Sequence, residues 1–250
     1  MDDIVKQAMA KWPNVPHCYG WLALDPRGNW RMRDERAQHF GLPSDKLTHP
    51  ALVGFINRNY GCDERGCWYF QNGPQRVYLE LDAAPFIVRT DPAQGWLLQT
   101  GEALGEIEEA VMTEAGELVL RSGGRVAQLD DRDAAQALTL LEMNGRPVAD
   151  EELLAWLEAT PDSADTAAPA AAAAPHTAAG ASTAAKAADA NAAAAAALSN
   201  AAAGQLMLCD GARRIVVRRL LRAQLPAYFS FVRSPLSDHG DGRAKGSAGV

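Results

Sequence analysis

The sequence predicts an α+β fold, in which a curved antiparallel sheet with peripheral helices is completed by a C-terminal hairpin. Three observations predict this class. Short apolar runs alternate with turn-forming residues in the middle of the chain, which is typical of strands joined by hairpins. Helical spacing occurs mainly towards the two ends of region 1–160, and this grouping disfavours a parallel α/β array. Strand-like segments then return after a long alanine-rich stretch.

Four helices are predicted in region 1–160. The pattern is clearest in the second helix, where Thr48 is the expected N-terminal cap, Pro50 suits the first turn and Gly61 is the expected C-terminal cap. Apolar residues between these caps keep helical spacing. The predicted helices are Asp2–Lys11, Pro50–Tyr60, Arg132–Met143 and Asp150–Glu158.

Nine strands are predicted in the same region, and turn residues bound each of them. Asn72-Gly73-Pro74 is a sharp turn signal, and Asp25–Gly28 marks an earlier hairpin. The predicted strands are Trp21–Leu24, Asn29–Arg33, Cys67–Gln71, Gln75–Leu81, Phe86–Arg89, Trp96–Thr100, Ile107–Met112, Leu118–Arg121 and Val126–Leu129.

The hydrophobic pattern stops between Asp162 and Gly204, where alanine makes up more than half of the sequence. Because this stretch has no apolar face to bury and is broken by proline, glycine, serine and threonine, it is predicted to be disordered. The predicted segments are a 1–160 α+β body, a 161–204 linker or insert, a 205–236 segment with a β-hairpin and an extended piece, and a disordered 237–250 tail.

The 205–236 segment is predicted to dock on the body. Leu206–Cys209 and Ile215–Val217 flank Asp210-Gly211, which is a hairpin signal. Two or three strands are not stable alone in water. The hairpin is therefore expected to complete the sheet of the body.

The charge distribution supports the same docking. Region 101–160 carries four basic residues against 14 acidic ones, whereas region 205–250 carries eight against three. The arginine cluster Arg213–Arg222 is therefore expected to pair with the acidic half of the body. Exposed ion pairs contribute only about 0–1 kcal/mol each, so strand pairing and apolar burial must carry most of the docking.

Composition predicts a cytoplasmic protein without a cofactor or a metal. The net charge is −7, the N-terminal stretch lacks a signal-peptide core, and no run approaches the roughly 18 apolar residues of a membrane span. Four cysteines are too few for a disulfide scaffold. Cys62, Cys67 and the adjacent pair His17-Cys18 are enough ligands for zinc, but their spacing fits a zinc site poorly.

Aromatic residues and arginines concentrate on the first hairpins. Alternate residues of a strand share a face, so these side chains could form an exposed row that stacks on a base or another planar ligand. Burial of one face as core is the alternative. The candidate ligand-binding residues are Trp30, Arg31, Arg33, Tyr69, Arg76 and Tyr78.

The favoured function is a non-enzymatic binding or accessory protein with an unidentified protein or small-molecule partner. Two alternatives stay open. A small-molecule hydrolase or transferase would use polar groups near the Tyr60–Trp68 loop, such as Cys62 or Asp63 with His17 or His49. Single-stranded nucleic-acid binding would use the aromatic row, but region 1–100 is neutral in charge, which disfavours phosphate contacts.

A long pattern runs through the N-terminal part of the chain as Pro13–Trp21 (PNVPHCYGW), Phe55–Tyr60 (FINRNY) and Trp68–Tyr78 (WYFQNGPQRVY). It resembles an uncharacterised proteobacterial family of unknown function, over about residues 1–160 and a short segment at Phe229–Pro235. The resemblance implies a cytosolic bacterial protein and carries over no activity, cofactor or catalytic residue. The alanine-rich tract is then an insert particular to this member.

Overall fold

The computed structural model describes residues 1–34, 36, 40, 44–159 and 204–235. It confirms the α+β class, with two open, mixed sheets and few helices. The insert predicted to be disordered, apart from Gly204, and the predicted 237–250 tail lie outside the described residues. Among the residues that are described, no helix has both the length and the apolar composition needed to cross a membrane.

The chain forms two compact units. The first combines residues 1–87 and 98–102 with the segment that starts at Phe231, and the second combines residues 88–97 with 103–230. Each unit therefore draws on residues from both sides of the alanine-rich insert. The segment boundaries inferred from composition, at 160, 204 and 236, stay predictions.

The helices that the structure describes are short. Two 3₁₀ turns, at Asp131–Asp133 and Arg222–Gln224, each lead into a further helix. The helices are α1 Asp3–Lys11, α2 Pro50–Arg58, α3 Ala134–Leu138, α4 Asp150–Glu158 and α5 Leu225–Phe229.

The strands follow one another mostly through tight turns, as the glycine-containing turn signals predict. They are β1 Cys18–Leu24, β2 Trp30–Met32, β3 Asp45–Lys46, β4 Tyr60–Cys62, β5 Trp68–Asn72, β6 Gln75–Leu81, β7 Phe86–Asp91, β8 Gly95–Leu98, β9 Glu109–Thr113, β10 Leu118–Ser122, β11 Arg125–Leu129, β12 Leu141–Met143, β13 Arg146–Pro147, β14 Leu206–Asp210 and β15 Arg213–Leu220.

The first sheet has six strands in the order β3-β2-β1-β6-β5-β4. Its neighbours are antiparallel except for β1 and β6, which run parallel with an irregularity between Cys18 and Leu22. In the β5–β6 hairpin, Tyr69 lies directly opposite Tyr78. Directly opposed residues share a face of the sheet, so this register places the two tyrosines side by side.

The second sheet has nine strands in the order β13-β12-β14-β15-β9-β10-β11-β7-β8. The hairpin β14–β15 lies in its interior, where β14 pairs antiparallel with β12 and β15 pairs parallel with β9. The prediction that a C-terminal hairpin completes a sheet is therefore confirmed. The parallel pair gives this sheet its mixed character.

The predicted helix Arg132–Met143 is wrong over its second half. Helix α3 ends at Leu138, and Leu141–Met143 forms strand β12, in which both end residues are buried. Leu141 pairs with Leu208 of β14. Strand β14, which follows the insert, thus forms the backbone hydrogen bonds of this segment. No local pattern in the sequence indicates that partner.

The ends of α2 also differ from prediction. His49 rather than Thr48 is the N-terminal cap, and the helix ends at Arg58, so that Tyr60 and Gly61 belong to β4. The reason is Asn59, whose side-chain amide donates to the Phe55 carbonyl at 2.9 Å. A side chain therefore satisfies the end of the helix in place of a glycine turn.

An aromatic cluster fills one face of the first sheet. Tyr60 packs against Trp30 and Trp68, with ring centres 5.2 Å and 4.9 Å away, and Phe86 meets the Trp68 ring at 5.0 Å. The Tyr60 hydroxyl donates to the Pro85 carbonyl at 2.6 Å. Aromatic pairs of this kind contribute about 0.5–1.5 kcal/mol beyond the area they bury.

Arginines of the C-terminal hairpin form ion pairs with residues of the acidic 101–160 segment. The pairs are Arg213 with Glu106, Arg214 with Glu142, Arg218 with Glu109, and Arg222 with Glu117. We propose that these pairs contribute to docking of the hairpin, as the opposite charges of the two segments predict. A free energy of unfolding that does not fall with added salt would contradict this proposal.

Asp133 connects the start of α3 to strand β7. Its carboxylate accepts hydrogen bonds from the Thr90 backbone and hydroxyl at 2.8 Å and 3.1 Å, and from the Arg89 guanidinium at 3.1 Å. Loss of hydration alone would raise the pKa of Asp133, but these hydrogen bonds outweigh it and lower the pKa below its ordinary value of 3.8. The resulting stabilisation is present above the unfolded-state pKa and is lost as pH falls through the folded-state pKa.

We expect Asp133→Asn to lower the free energy of unfolding near pH 7 by about 2 kcal/mol, because hydrogen bonds to a charged acceptor are lost. The variant should also lose less stability than the wild type when the pH falls below about 4. Urea denaturation at both pH values measures this, and Asp131→Asn is the control because Asp131 is exposed. A wild-type pH dependence in Asp133→Asn would contradict the assignment.

Candidate functional site

Two tyrosines and an arginine meet on one face of the β5–β6 hairpin. Tyr69 and Tyr78 contact each other edge to face, with ring centres 5.7 Å apart. The Arg76 guanidinium carbon lies 4.5 Å from the centre of the Tyr69 ring, within the range of a cation–π interaction. Strand alternation places all three side chains on the same face.

Tyr19 of β1 extends this group across the parallel β1–β6 pair. Its ring stacks on Tyr78 with centres 4.8 Å apart and planes 3° apart, and His17 meets the edge of Tyr78 at 5.6 Å. Cys67 and Val232 pack against the same cluster. The tyrosine rings therefore form a small core of their own.

The turn between β4 and β5 contacts this core and is organised by Asp63. The Asp63 carboxylate accepts hydrogen bonds from the backbone nitrogens of Arg65 and Cys67, both at 3.0 Å, and from the Tyr78 hydroxyl at 3.0 Å. The Arg65 guanidinium donates two further bonds to it, at 2.9 Å and 3.1 Å. Gly66 closes the turn with a positive φ of 80°, a conformation that glycine adopts without strain.

These contacts fix the charge state of Asp63. Loss of hydration alone would raise the pKa of its carboxyl group, but the hydrogen bonds from Arg65, Cys67 and Tyr78 outweigh it and lower the pKa below 3.8. Asp63 is therefore ionised at neutral pH, and its lone pairs are already engaged. It orders the turn and orients Tyr78 and Arg65.

Arg76 differs from Arg65 because no carboxylate of the described residues forms an ion pair with it. The nearby Tyr78 hydroxyl raises the pKa of Arg76, and the Arg76 guanidinium lies over the Tyr69 ring. The guanidinium thus lies against Tyr69 and near Tyr78, and no carboxylate of the described residues pairs directly with its positive charge. We call Tyr19, Asp63, Arg65, Tyr69, Arg76 and Tyr78 the tyrosine–arginine site.

A pocket of about 540 Å³ opens beside this site and is lined by Cys62, Asp63, Glu64, Arg65 and Arg76. Two guanidinium groups therefore border one cavity. Guanidinium groups present several donors in a planar fork that matches carboxylate and phosphate oxygens. Glu64 is exposed and forms no ion pair within the described part of the chain, so its charge opposes an anion at the rim.

The structure brings together three of the six residues predicted to bind a ligand, namely Tyr69, Arg76 and Tyr78. Trp30 lies on the other face, is 2% exposed and donates from its indole nitrogen to Asn57 at 2.7 Å. Arg31 pairs with Asp25 at 2.9 Å. Arg33 follows the end of β2, where its backbone nitrogen donates to the carbonyl of Trp21. These three residues are apart from the tyrosine–arginine site.

The rings of the site do not form an open platform for bases. Tyr69 and Tyr78 are 8% and 2% exposed, and Arg76 and Tyr19 cover their faces. Stacking of successive bases needs accessible ring faces. The accessible chemistry of this site is therefore that of the guanidinium groups.

The groups considered for catalysis lack an activated nucleophile. Loss of hydration and the neighbouring Asp63 charge raise the pKa of Cys62 to about 11, although part of this residue is exposed. Its thiol donates to the Asp63 carbonyl at 3.3 Å. His49 occupies the N-cap position of α2 without a side-chain capping hydrogen bond, and His17 contacts the edge of Tyr78. A nucleophilic cysteine needs a lowered pKa or an adjacent base, and Cys62 has neither in its described contacts.

Metal chemistry finds no support in the described part of the structure. Within it, no three histidine, cysteine, aspartate or glutamate side chains converge as a set of metal ligands. The four cysteines are free thiols.

Sequence reasoning missed Arg65 and Tyr19 as members of the site. Arg65 follows Asp63 by two residues in a turn that ends with Gly66, and that local signal could have indicated a guanidinium folded back on a turn carboxylate. Tyr19 has no comparable signal, because it reaches Tyr78 only through the parallel pairing of β1 and β6.

A family model described as a protein of unknown function (DUF2946), under the family name DUF2944, matches residues 1–236. The chain belongs to this family. Membership of a family of unknown function, as the sequence pattern indicates, is thereby confirmed, and DUF2944 has no assigned activity to transfer. No curated protein matches the chain.

Among solved structures, the DUF2944 protein is similar to the crystal structure of a DUF1285 family protein from Silicibacter pomeroyi DSS-3. The two chains are 17% identical, with a TM-score of 0.36, and the match covers 60% of this chain and 87% of the other.

Proposed function

We propose that this protein is a non-enzymatic binding protein for a small anion that carries a carboxylate or phosphate group. One observation carries the proposal: the Arg76 guanidinium lies over the Tyr69 ring, beside Arg65, at a pocket of about 540 Å³. An arginine that is oriented before binding loses less side-chain entropy when it binds an anion. We further propose a cytoplasmic location in a proteobacterium, which the sequence pattern implies.

The two arginines have different roles in this proposal. Arg65 is engaged by Asp63, so it contributes positive potential and its remaining donors. Arg76 has no carboxylate partner among the described residues and supplies the planar fork for bidentate binding. Tyr78 connects the two arginines electrostatically: its hydroxyl donates to Asp63, which holds Arg65, and its proximity raises the pKa of Arg76.

We expect Arg76→Ala to weaken the binding of inorganic phosphate or acetate at least about tenfold, because a charge-assisted hydrogen bond contributes about 1.5–3 kcal/mol. Titration followed by the side-chain Nε–H signals of Arg65 and Arg76 in NMR spectra measures the dissociation constant. Arg146→Ala is the matched control, because Arg146 is an exposed arginine that is paired with Glu152. Equal binding by Arg76→Ala and the wild type would refute the proposed site.

Glu64 allows a test of whether electrostatic attraction contributes to anion binding in the pocket. Its exposed carboxylate lines the same pocket, so Glu64→Gln removes a like charge next to the bound anion. We expect the same anions to bind roughly two- to fivefold more tightly, which corresponds to less than about 1 kcal/mol. The increase should disappear at high salt, because exposed charges are screened.

A further inference from the structure

The opposite face of the first sheet carries an apolar cleft that the anion site does not use. Helix α2 packs on this face, where Phe55 meets Phe70 with ring centres 5.4 Å apart and Ile56 is fully buried. Next to this contact the helix and the strands leave a cavity of about 310 Å³. Leu22, Phe55, Phe70 and Val77 are among the side chains that line it.

Large apolar side chains surround the opening of the cleft instead of closing it. Trp21, Met32 and Leu52 line the cavity and are 37%, 40% and 36% exposed. Single exposed apolar residues are common, but a contiguous group around a cavity indicates a binding site. The described residues of the unit thus leave this apolar surface unburied.

The described lining contains no charged side chain, and its polar groups are the Cys18 thiol and the Asn72 side chain. Burial raises the pKa of Cys18, so the thiol is neutral at physiological pH. Asn72 is exposed, and its amide has no hydrogen-bond partner within the described residues. The cleft therefore offers one uncommitted donor and acceptor beside an apolar wall, which is the usual composition of a small-molecule pocket.

We propose that this cleft binds a small, uncharged amphiphile, with an aliphatic chain against the apolar wall and a hydroxyl or similar polar head at Asn72. The volume of the cavity favours a ligand of this size. An apolar cavity of about 150 Å³ accommodates benzene, and 310 Å³ lies at the lower end of ligand pockets. A partner helix is about 10 Å wide and does not fit, whereas a chain of roughly eight to ten carbons does.

Titration with linear alkanols from butanol to dodecanol tests the proposal, with tryptophan fluorescence as the signal. Each added methylene should lower the dissociation constant about fourfold, until the cavity is full at roughly nine carbons. The signal should be lost in Trp21→Phe, since Trp21 lines the cleft. A gain per methylene that continues to dodecanol, or binding that does not saturate, would overturn the proposal.

Leu52→Asp tests the location of binding. Leu52 lies in the first turn of α2, where an aspartate suits the helix dipole, so the variant should fold, and its thermal midpoint checks this. We expect at least tenfold weaker octanol binding, because the new charge borders the apolar wall. Leu154→Asp is the matched control, at an exposed position of α4, and should bind like the wild type.

Arg76→Ala separates this proposal from the anion site. Arg76 and Tyr78 lie on one face of β6, whereas Val77 and the cleft lie on the other. Octanol binding should be unchanged in Arg76→Ala even if phosphate binding is lost. A matching loss of both ligands in that variant would contradict two independent sites.

Discussion

Replacing Glu109 by alanine is expected to lower the free energy of unfolding by about 3 kcal/mol. The Glu109 side chain is 8% exposed on β9, and its carboxylate accepts a hydrogen bond from Arg121 Nε at 2.8 Å and a short one from the Tyr228 hydroxyl. Arg218 Nη1 lies 3.5 Å away. The substitution leaves two arginines and a tyrosine without their common acceptor. Both arginines keep some access to water, so the expected cost is at the lower end for a broken buried pair.

Glu108→Ala is the matched control for this prediction. Glu108 also pairs with Arg121, at 2.9 Å, but its side chain is 48% exposed. An exposed pair contributes about 0–1 kcal/mol, so this variant should stay close to the wild type. Urea denaturation of both variants measures the difference. If the two substitutions cost the same, the Glu109 network does not contribute through burial.

Gly28→Ala is expected to cost about 3 kcal/mol for two separate reasons. Gly28 has a φ of +74° in the turn between β1 and β2, and this left-handed conformation costs a residue with a Cβ atom about 1–2 kcal/mol. The new Cβ would also lie 2.8 Å from the Cβ of Gln99. Gln99 cannot move freely, because its side chain accepts a hydrogen bond from the Ile87 nitrogen at 2.9 Å. Overpacking of this kind costs about 1–3 kcal/mol.

Gly123→Ala isolates the conformational part of that cost. Gly123 has a φ of +56° in the turn between β10 and β11, and an added Cβ would meet no atom within 4 Å. We therefore expect a loss of about 1 kcal/mol. For a chain of this size each kcal/mol lowers the melting temperature by about 2–4 °C, so calorimetry resolves the two variants. Equal melting temperatures would show that Gln99 yields to the new methyl group.

Local turn chemistry allowed most of the antiparallel hairpins to be predicted. Asn72-Gly73 and Asp210-Gly211 each join two strands where the sequence indicates a hairpin. The parallel pairs β1–β6 and β15–β9 were not predictable in the same way. Parallel strands are distant from each other in the sequence. The local periodicity of each strand therefore does not indicate which strand it pairs with.

In the candidate site, too, local features were predictable from the sequence and features that depend on distant residues were not. Strand alternation correctly places Tyr69 and Tyr78 on one face, because their hairpin is local. Burial of Trp30 could not be inferred, since its partners Asn57 and Tyr60 come from elements further along the chain. The lack of a carboxylate partner for Arg76 among the described residues is likewise a property of the folded chain alone.

The interior position of the hairpin β14–β15 in the second sheet makes synthesis on the ribosome a vulnerable period. Until the chain beyond Gly204 leaves the exit tunnel, β9 and β12 each lack a neighbour, and open strand edges recruit other chains. The first unit is also incomplete until the C-terminal segment has been synthesised, because the Leu81 nitrogen donates a hydrogen bond to the carbonyl of Arg233. Folding of both units therefore finishes only after Arg233 has been synthesised, and chains terminated before that residue are the species that chaperones and proteases must remove.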